Sequence, residues 1–321
     1  MKVKLTASGV AVAAARAGDS RVGHLIGSAL GADTAVAIVG FPVDDGVARN
    51  GGRVGAAKAP HAIREALYKL TPDAEASNIS AQFWARVADL GDIPWGGDLA
   101  AAQEELGEVV AELLGRGIVP IILGGGHETA YGHFLGYVSR KQSVSIINID
   151  AHLDVRELID GAGHSGSPFR QALEHPQKLC TGYQVLGVQP QSCAVAHLEY
   201  LKSKGGRATF RAGVSAAEIS KVIGGAGATT MLSMDIDAVD EAAAPGVSAP
   251  CVNGLSSDLW LHAALLGGAN PKIKSFDIVE CNPAFDTDNR TARLAALTVW
   301  TIVKGIAERQ AAQGRPRLGF G

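Results

Sequence analysis

Asp150, His152 and Asp154 stand at alternate positions, close behind the run Val144-Ser145-Ile146-Ile147. That run is apolar and β-branched apart from one serine, so it reads as a buried strand leading into three potential metal ligands. Aspartate is seldom fully buried without a partner, and an ionised carboxylate in a low dielectric is costly. A cation removes the difficulty. The triplet is therefore expected to be half of a two-metal hydrolytic site, with other strand ends supplying the rest.

Two further constellations fit that expectation. Ser233-Met234-Asp235-Ile236-Asp237 follows Thr229-Thr230-Met231-Leu232, and its two carboxylates, two positions apart, project to one side. His127 follows the strand-like Ile118-Val119-Pro120-Ile121-Ile122-Leu123 and a triple-glycine turn. An isolated Asp-x-Asp at a strand end is more often a turn or cap. An isolated histidine beside glycines is more often structural. Three such groups, each behind its own buried strand, break the local burial rule together, as functional sites do. Four carboxylates and two imidazoles without a thiolate suit manganese or magnesium better than zinc.

The elements that must position these residues alternate along the chain. Strands are expected at 35–40, 86–92, 118–123, 144–147, 182–188, 208–211, 229–234 and 273–279. Helices are expected at 60–70, 98–115, soon after Glu128, and at about 193–204, 215–223, 256–267 and 289–310. Phe41 to Gly46 reads as a turn. The pattern predicts an α/β fold, with a parallel sheet covered on both faces. Open sheets of this kind place sites at the carboxyl ends of strands, where all three constellations lie. No linker or repeat divides residues 1–321, so one domain is expected, with 1–33 as a loosely ordered N-terminal arm.

Composition narrows the function classes. A net charge of −3 and the lack of a basic run argue against nucleic acid or a membrane surface as partner. Few aromatics and 40 glycines predict a core of Ala, Val, Ile and Leu joined by tight turns. Cys180, Cys193, Cys251 and Cys281 form no Cys-x-x-Cys and are expected as free thiols. Met1-Lys2-Val3-Lys4 and the small apolar run to Ala15 imitate a signal peptide, with Ala15-Arg16-Ala17 as its cleavage site. Thr6, Ser8 and Gly9 interrupt the run and Arg16 spoils the site, so the expected location is the cytoplasm.

The motifs Gly125-Gly126-His127, Asp150-Ala151-His152-Leu153-Asp154 and Ser233-Met234-Asp235-Ile236-Asp237 resemble the three signatures of the ureohydrolases, which include arginase, agmatinase and formimidoylglutamase. The resemblance runs from near Gly40 to about Ala296 in the same motif order. It implies an arginase-like three-layer α/β/α sandwich with a mainly parallel eight-stranded sheet. It implies two Mn2+ ions per subunit and an assembly of three or six chains. His127, Asp150, Asp154 and Asp235 would hold one ion, and Asp150, His152, Asp235 and Asp237 the other. Two such ions share a water and make it a nucleophile near neutral pH. The resemblance also sets Glu280, in Asp277-Ile278-Val279-Glu280-Cys281-Asn282-Pro283, against a cationic carbon–nitrogen group. Asp154 is expected to carry a proton to the leaving nitrogen.

Within the family, formimidoylglutamase is the nearest pattern. Ala244-Pro245-Gly246-Val247-Ser248-Ala249-Pro250 looks like its version of that loop, whereas arginases and agmatinases usually carry Asp-Pro soon after the Asp-x-Asp pair. Ser165-Gly166-Ser167-Pro168-Phe169-Arg170-Gln171 resembles its Ser-Gly-Thr-Pro-Phe-Arg-Gln. Arg156 stands where arginase has a neutral amide, and a guanidinium there suits a carboxylate. Arg156, Ser165 and Arg170 are thus expected to bind an acidic substrate. Arginases carry a proton-shuttling histidine where this chain has Ser165; His164 is one place earlier, an offset that turns a side chain elsewhere, and it is kept as a candidate catalytic residue. The expected reaction is manganese-dependent hydrolysis of N-formimidoyl-L-glutamate to L-glutamate and formamide, in histidine degradation. The alternatives are a guanidino substrate (agmatine, guanidinobutyrate or arginine) releasing urea, and a non-catalytic metal-bound scaffold subunit. Formamide against urea separates the first two, and an Asp235→Ala variant tests the third.

Overall fold

The computed structural model describes residues 3–312; Met1, Lys2 and residues 313–321, part of the expected arm and domain, lie outside them. Eight strands form one sheet: β1 (Val36–Phe41), β2 (Val87–Asp92), β3 (Val119–Gly124), β4 (Val144–Ile149), β5 (Cys180–Val188), β6 (Arg207–Phe210), β7 (Thr230–Asp235) and β8 (Ile273–Val279). Their order is β2-β1-β3-β8-β7-β4-β5-β6, and every neighbouring pair is parallel. The strands adjoining the motifs, β3, β8, β7 and β4, are therefore contiguous at the centre. Four loops from separate parts of the chain meet along one carboxyl edge.

The helices are α1 (Val22–Leu25), α2 (Asp45–Arg49), α3 (Ala59–Leu67), α4 (Ser77–Trp84), α5 (Leu99–Gly115), α6 (Thr129–Ser139), α7 (Pro168–Glu174), α8 (Val195–Ser203), α9 (Ala216–Gly224), α10 (Ser257–Ala269) and α11 (Arg290–Ala312). Side chains alternate across the sheet. Ile121, Leu123, Ile147, Ile149, Leu232, Met234, Phe276 and Ile278 join one apolar cluster with residues of α3, α10 and α11. The opposite face carries two separate clusters, one under α5 and one under α6 and α7. Both faces are covered, as a parallel sheet requires.

Local signals account for several boundaries. Asp98 caps α5 by accepting from the N–H groups of Ala100 and Ala101, and Ser256 caps α10 through Leu259. The short α2 begins within the segment read as a turn, at Asp45, and runs past it to Arg49. The strand-poor stretch 165–175 folds into α7, where Pro168 supplies the fixed φ of a first helical turn. The N-terminal arm is tied to the edge strand β2. Thr6 and Asp92 exchange backbone hydrogen bonds at 2.8 and 2.7 Å, and Gly27 donates to Val87 at 2.9 Å. All four cysteines are free thiols. Among the described residues, no helix is long and apolar enough to cross a membrane.

Candidate metal centre

The strands deliver their ligands in tight turns. Asp154 has φ +48° and Glu280 φ +65°. A left-handed backbone at a non-glycine residue costs about 1–3 kcal/mol and persists only where its surroundings enforce it. Gly125 allows the β3 turn to close, because a Cβ there would fall 1.9 Å from the carbonyl oxygen of Val43. Glu280 is fastened to the same turn in both directions. Its N–H donates to Gly125 O at 2.8 Å, and its Oε1 accepts the His127 N–H at 2.7 Å.

Six side chains converge into two overlapping groups. Ligand atoms of His127, Asp150, Asp154 and Asp235 lie within 4.8 Å of one another, as do those of Asp150, His152 and Asp237. His127 Nδ1 is 2.9 Å from both Asp154 Oδ2 and Asp235 Oδ2, and 3.4 Å from Asp150 Oδ2. His152 Nδ1 is 3.4 Å from Asp150 Oδ1 and 3.2 Å from Asp237 Oδ2. Asp150 thus presents one oxygen to each group. Asp235, expected to serve both, belongs to the first alone, and its Oδ1 accepts the Asp237 N–H at 2.9 Å.

The electrostatics favour cations. Burial, then repulsion from Asp237 and Asp150, raises the Asp235 pKa well above the carboxylate range. Burial and Asp150 raise that of Asp154. Burial works against charge on Asp150 too, but His152 and His127 outweigh it and lower its pKa. Burial likewise opposes a charged His127, yet hydrogen bonding to Asp154 and Asp235 raises its pKa well above the usual value. Asp237 Oδ1 is buried without a hydrogen-bond partner. An unpartnered ligand atom in an anionic, oxygen-rich cluster fits two hard or borderline divalent cations.

Supporting contacts aim the ligands. Asn148 Nδ2 donates to Asp150 Oδ2 at 2.8 Å and to the Tyr183 hydroxyl at 3.0 Å. Tyr183 stacks on Phe169, which sets its ring edge-on to His127 at 5.1 Å. Burial, then Glu128 and Asp237, raises the Glu280 pKa well above its ordinary value. Glu128 escaped the sequence reading. It is wholly buried, its pKa is pushed up to about 7 by burial, and its Oε1 accepts the Gly46 N–H at 2.7 Å. A Cβ at Gly126 would fall 2.1 Å from its Oε2, so glycine leaves room for this carboxyl. A glutamate directly after the His127 glycine turn was the available signal.

The remaining expected residues divide. Asn50 donates from Nδ2 to Ser165 Oγ at 3.0 Å and accepts from Arg156 Nη1 at 3.2 Å, joining those two at the rim. Arg170 is engaged elsewhere. It pairs with Glu157 and Glu174 at 3.3 and 3.6 Å and lies 4.1 Å over the Tyr200 ring. His164 spends both ring nitrogens on its own loop: Nδ1 accepts from Gly166 N–H at 3.1 Å, and Nε2–H donates to Glu157 O at 2.8 Å.

Comparison with known proteins identifies the family. An arginase-family model matches residues 34–304. A formimidoylglutamase of Rhodococcus jostii is 36% identical over 284 residues, covering 84% of this chain and 85% of the relative. One from Geobacillus thermodenitrificans is 38% identical over 274 residues, covering 82% of each. The crystal structure of Trypanosoma cruzi formiminoglutamase with Mn2+ superposes with a TM-score of 0.83 at 32% identity, covering 91% of this chain and 99% of that one. With the ligand groups, the parallel sheet and the match over residues 34–304 in agreement, this chain belongs to the arginase family.

Proposed function

We propose that this protein is a two-manganese hydrolase that cleaves N-formimidoyl-L-glutamate to L-glutamate and formamide, a step of histidine breakdown. Curated relatives at 36–38% identity carry the formimidoylglutamase name, and they support the reading. The observation that carries the substrate choice is Arg156. It is an exposed guanidinium two residues past Asp154, held by Asn50 beside Ser165. N-formimidoyl-glutamate has two carboxylates for a guanidinium to bind, and agmatine has none.

His127, Asp150, His152, Asp154, Asp235 and Asp237 would hold the ions. When bound, the metal pair supplies a water nucleophile activated near neutral pH. The chain's own residues do the rest. Arg156 and Ser165 bind the substrate's carboxylates at the rim. Glu280 pairs with the amidinium and fixes its carbon toward the ligand groups. Water adds to that carbon, and Asp154 passes a proton to the glutamate nitrogen. The carbon–nitrogen bond breaks, and the carbon leaves as formamide. The reading includes a homo-oligomer in the cytoplasm, which light scattering and cell fractionation test.

The direct test is metal removal and return. Chelated protein should release no formamide from N-formimidoyl-L-glutamate, and added manganese should restore formamide and glutamate in equal amounts. Formamide release at full rate from the chelated protein would remove the metal from the mechanism.

A further inference from the structure

A chain of hydrogen bonds runs from the back of His127 into the core. His127 Nε2 lies 2.9 Å from Ser233 Oγ, which donates to Asp277 Oδ1. Asp277 Oδ2 lies 2.6 Å from His133 Nδ1, and His133 Nε2 lies 2.6 Å from Ser275 Oγ. Ser275 Oγ then meets the Tyr137 hydroxyl. His127 is 1% exposed and the other five residues are fully buried, so water cannot replace a missing partner. The fold sets the chain by register. Ser233 on β7 pairs directly with Asp277 on β8, Ser275 is two residues along the same face, and His133 and Tyr137 are one turn apart on α6.

Donor and acceptor chemistry orients the protons. An ionised carboxylate only accepts, so both Ser233 O–H and His133 Nδ1–H point at Asp277. Ser233, having given its only proton, must accept from His127 Nε2–H. The proton of a neutral His127 is therefore confined to Nε2. Its Nδ1 lone pair is left facing Asp150, Asp154 and Asp235. We infer that Ser233, Asp277 and His133 are a positioning relay that holds His127 in the one tautomer able to ligate a cation through Nδ1. The inference rests on the two-metal reading above and extends it to residues that touch neither metal nor substrate.

An Asp277→Asn substitution makes the claim sharp. The new amide keeps its oxygen on His133 and turns its NH2 toward Ser233. Ser233 then loses its acceptor in Asp277, and His127 Nε2 becomes the acceptor within reach of its proton, which favours the ring proton on Nδ1, where the cation should sit. Outer partners of ligating histidines are worth about 10–100-fold in metal affinity. The relay further requires that the new amide acts only through Ser233, so the losses from changing Ser233 and Asp277 must not multiply.

The experiment titrates manganese alone into the full chain and reads free ion by electron paramagnetic resonance, with circular dichroism confirming the fold. D277N should weaken one of the two manganese sites about 10–100-fold. The double variant S233A/D277N should bind within about threefold of S233A alone. Wild-type affinity in D277N, or losses that multiply in the double variant, would overturn the relay. Should D277N fail to fold, S233A carries the test by itself: about tenfold weaker binding supports the relay, and unchanged affinity overturns it. No substrate is present, so a wild-type chain that binds manganese but releases no formamide fails the formimidoyl reading alone. A wild-type chain that binds no manganese fails the metal reading and the relay together.

Discussion

Leu232, Met234, Phe276 and Ile278 leave the central strands on one side; Met231, Ser233, Ser275 and Asp277 leave the same strands on the other. The first side meets α3, α10 and α11 in one unbroken apolar cluster. On the second, the apolar packing is split in two, and the polar chain from His127 to Tyr137 is buried on this side. The strands are equally buried on both sides, so burial does not separate them. What separates them is that one side stabilises the fold through contact area, at about 1.5–3 kcal/mol for each large apolar side chain. The other side spends its buried positions on directional hydrogen bonds whose net worth is about 1 kcal/mol each, but which aim a ligand.

That contrast is open to attack. The largest effect is expected at the ligand edge. Asp150→Ala removes the carboxylate that faces both groups, and should lower kcat/KM by at least about 10³-fold, roughly 4 kcal/mol, with loss of bound manganese on metal analysis. Retention of two tightly held ions would show that Asp150 does not link the groups. Phe276→Ala, on the apolar side, should cost about 3–5 kcal/mol in denaturant unfolding. The folded fraction should still bind manganese like the wild type. If its metal affinity fell as far as that of the D277N variant next to it, the two sides would not be separable.

Smaller effects test the rim. Arg156→Ala should raise KM for N-formimidoyl-L-glutamate about 30–100-fold, through loss of a charge-assisted contact of roughly 2–3 kcal/mol, while kcat changes little. An unaltered KM would remove Arg156 from recognition. Arg170→Ala should leave KM in place and lower stability by about 1 kcal/mol, read by thermal melting, because its guanidinium is engaged with Tyr200, Glu157 and Glu174. A KM change as large as that of the Arg156 variant would return Arg170 to the substrate side.

The same comparison explains what was legible in the sequence. Fully buried parallel strands read as continuous runs, so Ile121-Ile122-Leu123 and Ile146-Ile147 stood out. Aspartates behind such runs contradict them visibly, which is why Asp150, Asp154, Asp235 and Asp237 could be singled out. Ser233, Ser275 and Asp277 carried no comparable signal, since their roles depend on β7 lying beside β8 in a particular register. Asn50 and the partner of Glu128 were hidden for a related reason, although Glu128 itself stands directly after the glycine turn. Asn50 meets Ser165 across 115 positions and Glu128 meets Gly46 across 82, and no local pattern records such pairings. Arg170 shows the converse: a motif resemblance pointed to substrate, while Pro168 starts a helix that carries the side chain toward Tyr200.

An acidic amidine is the substrate proposed for this metal centre. The most direct measurement gives manganese-loaded protein N-formimidoyl-L-glutamate, agmatine and arginine in parallel, and identifies every product. Formamide and glutamate are expected from the first, and no urea from either guanidine. Urea without formamide would contradict the substrate assignment while leaving the metal chemistry intact.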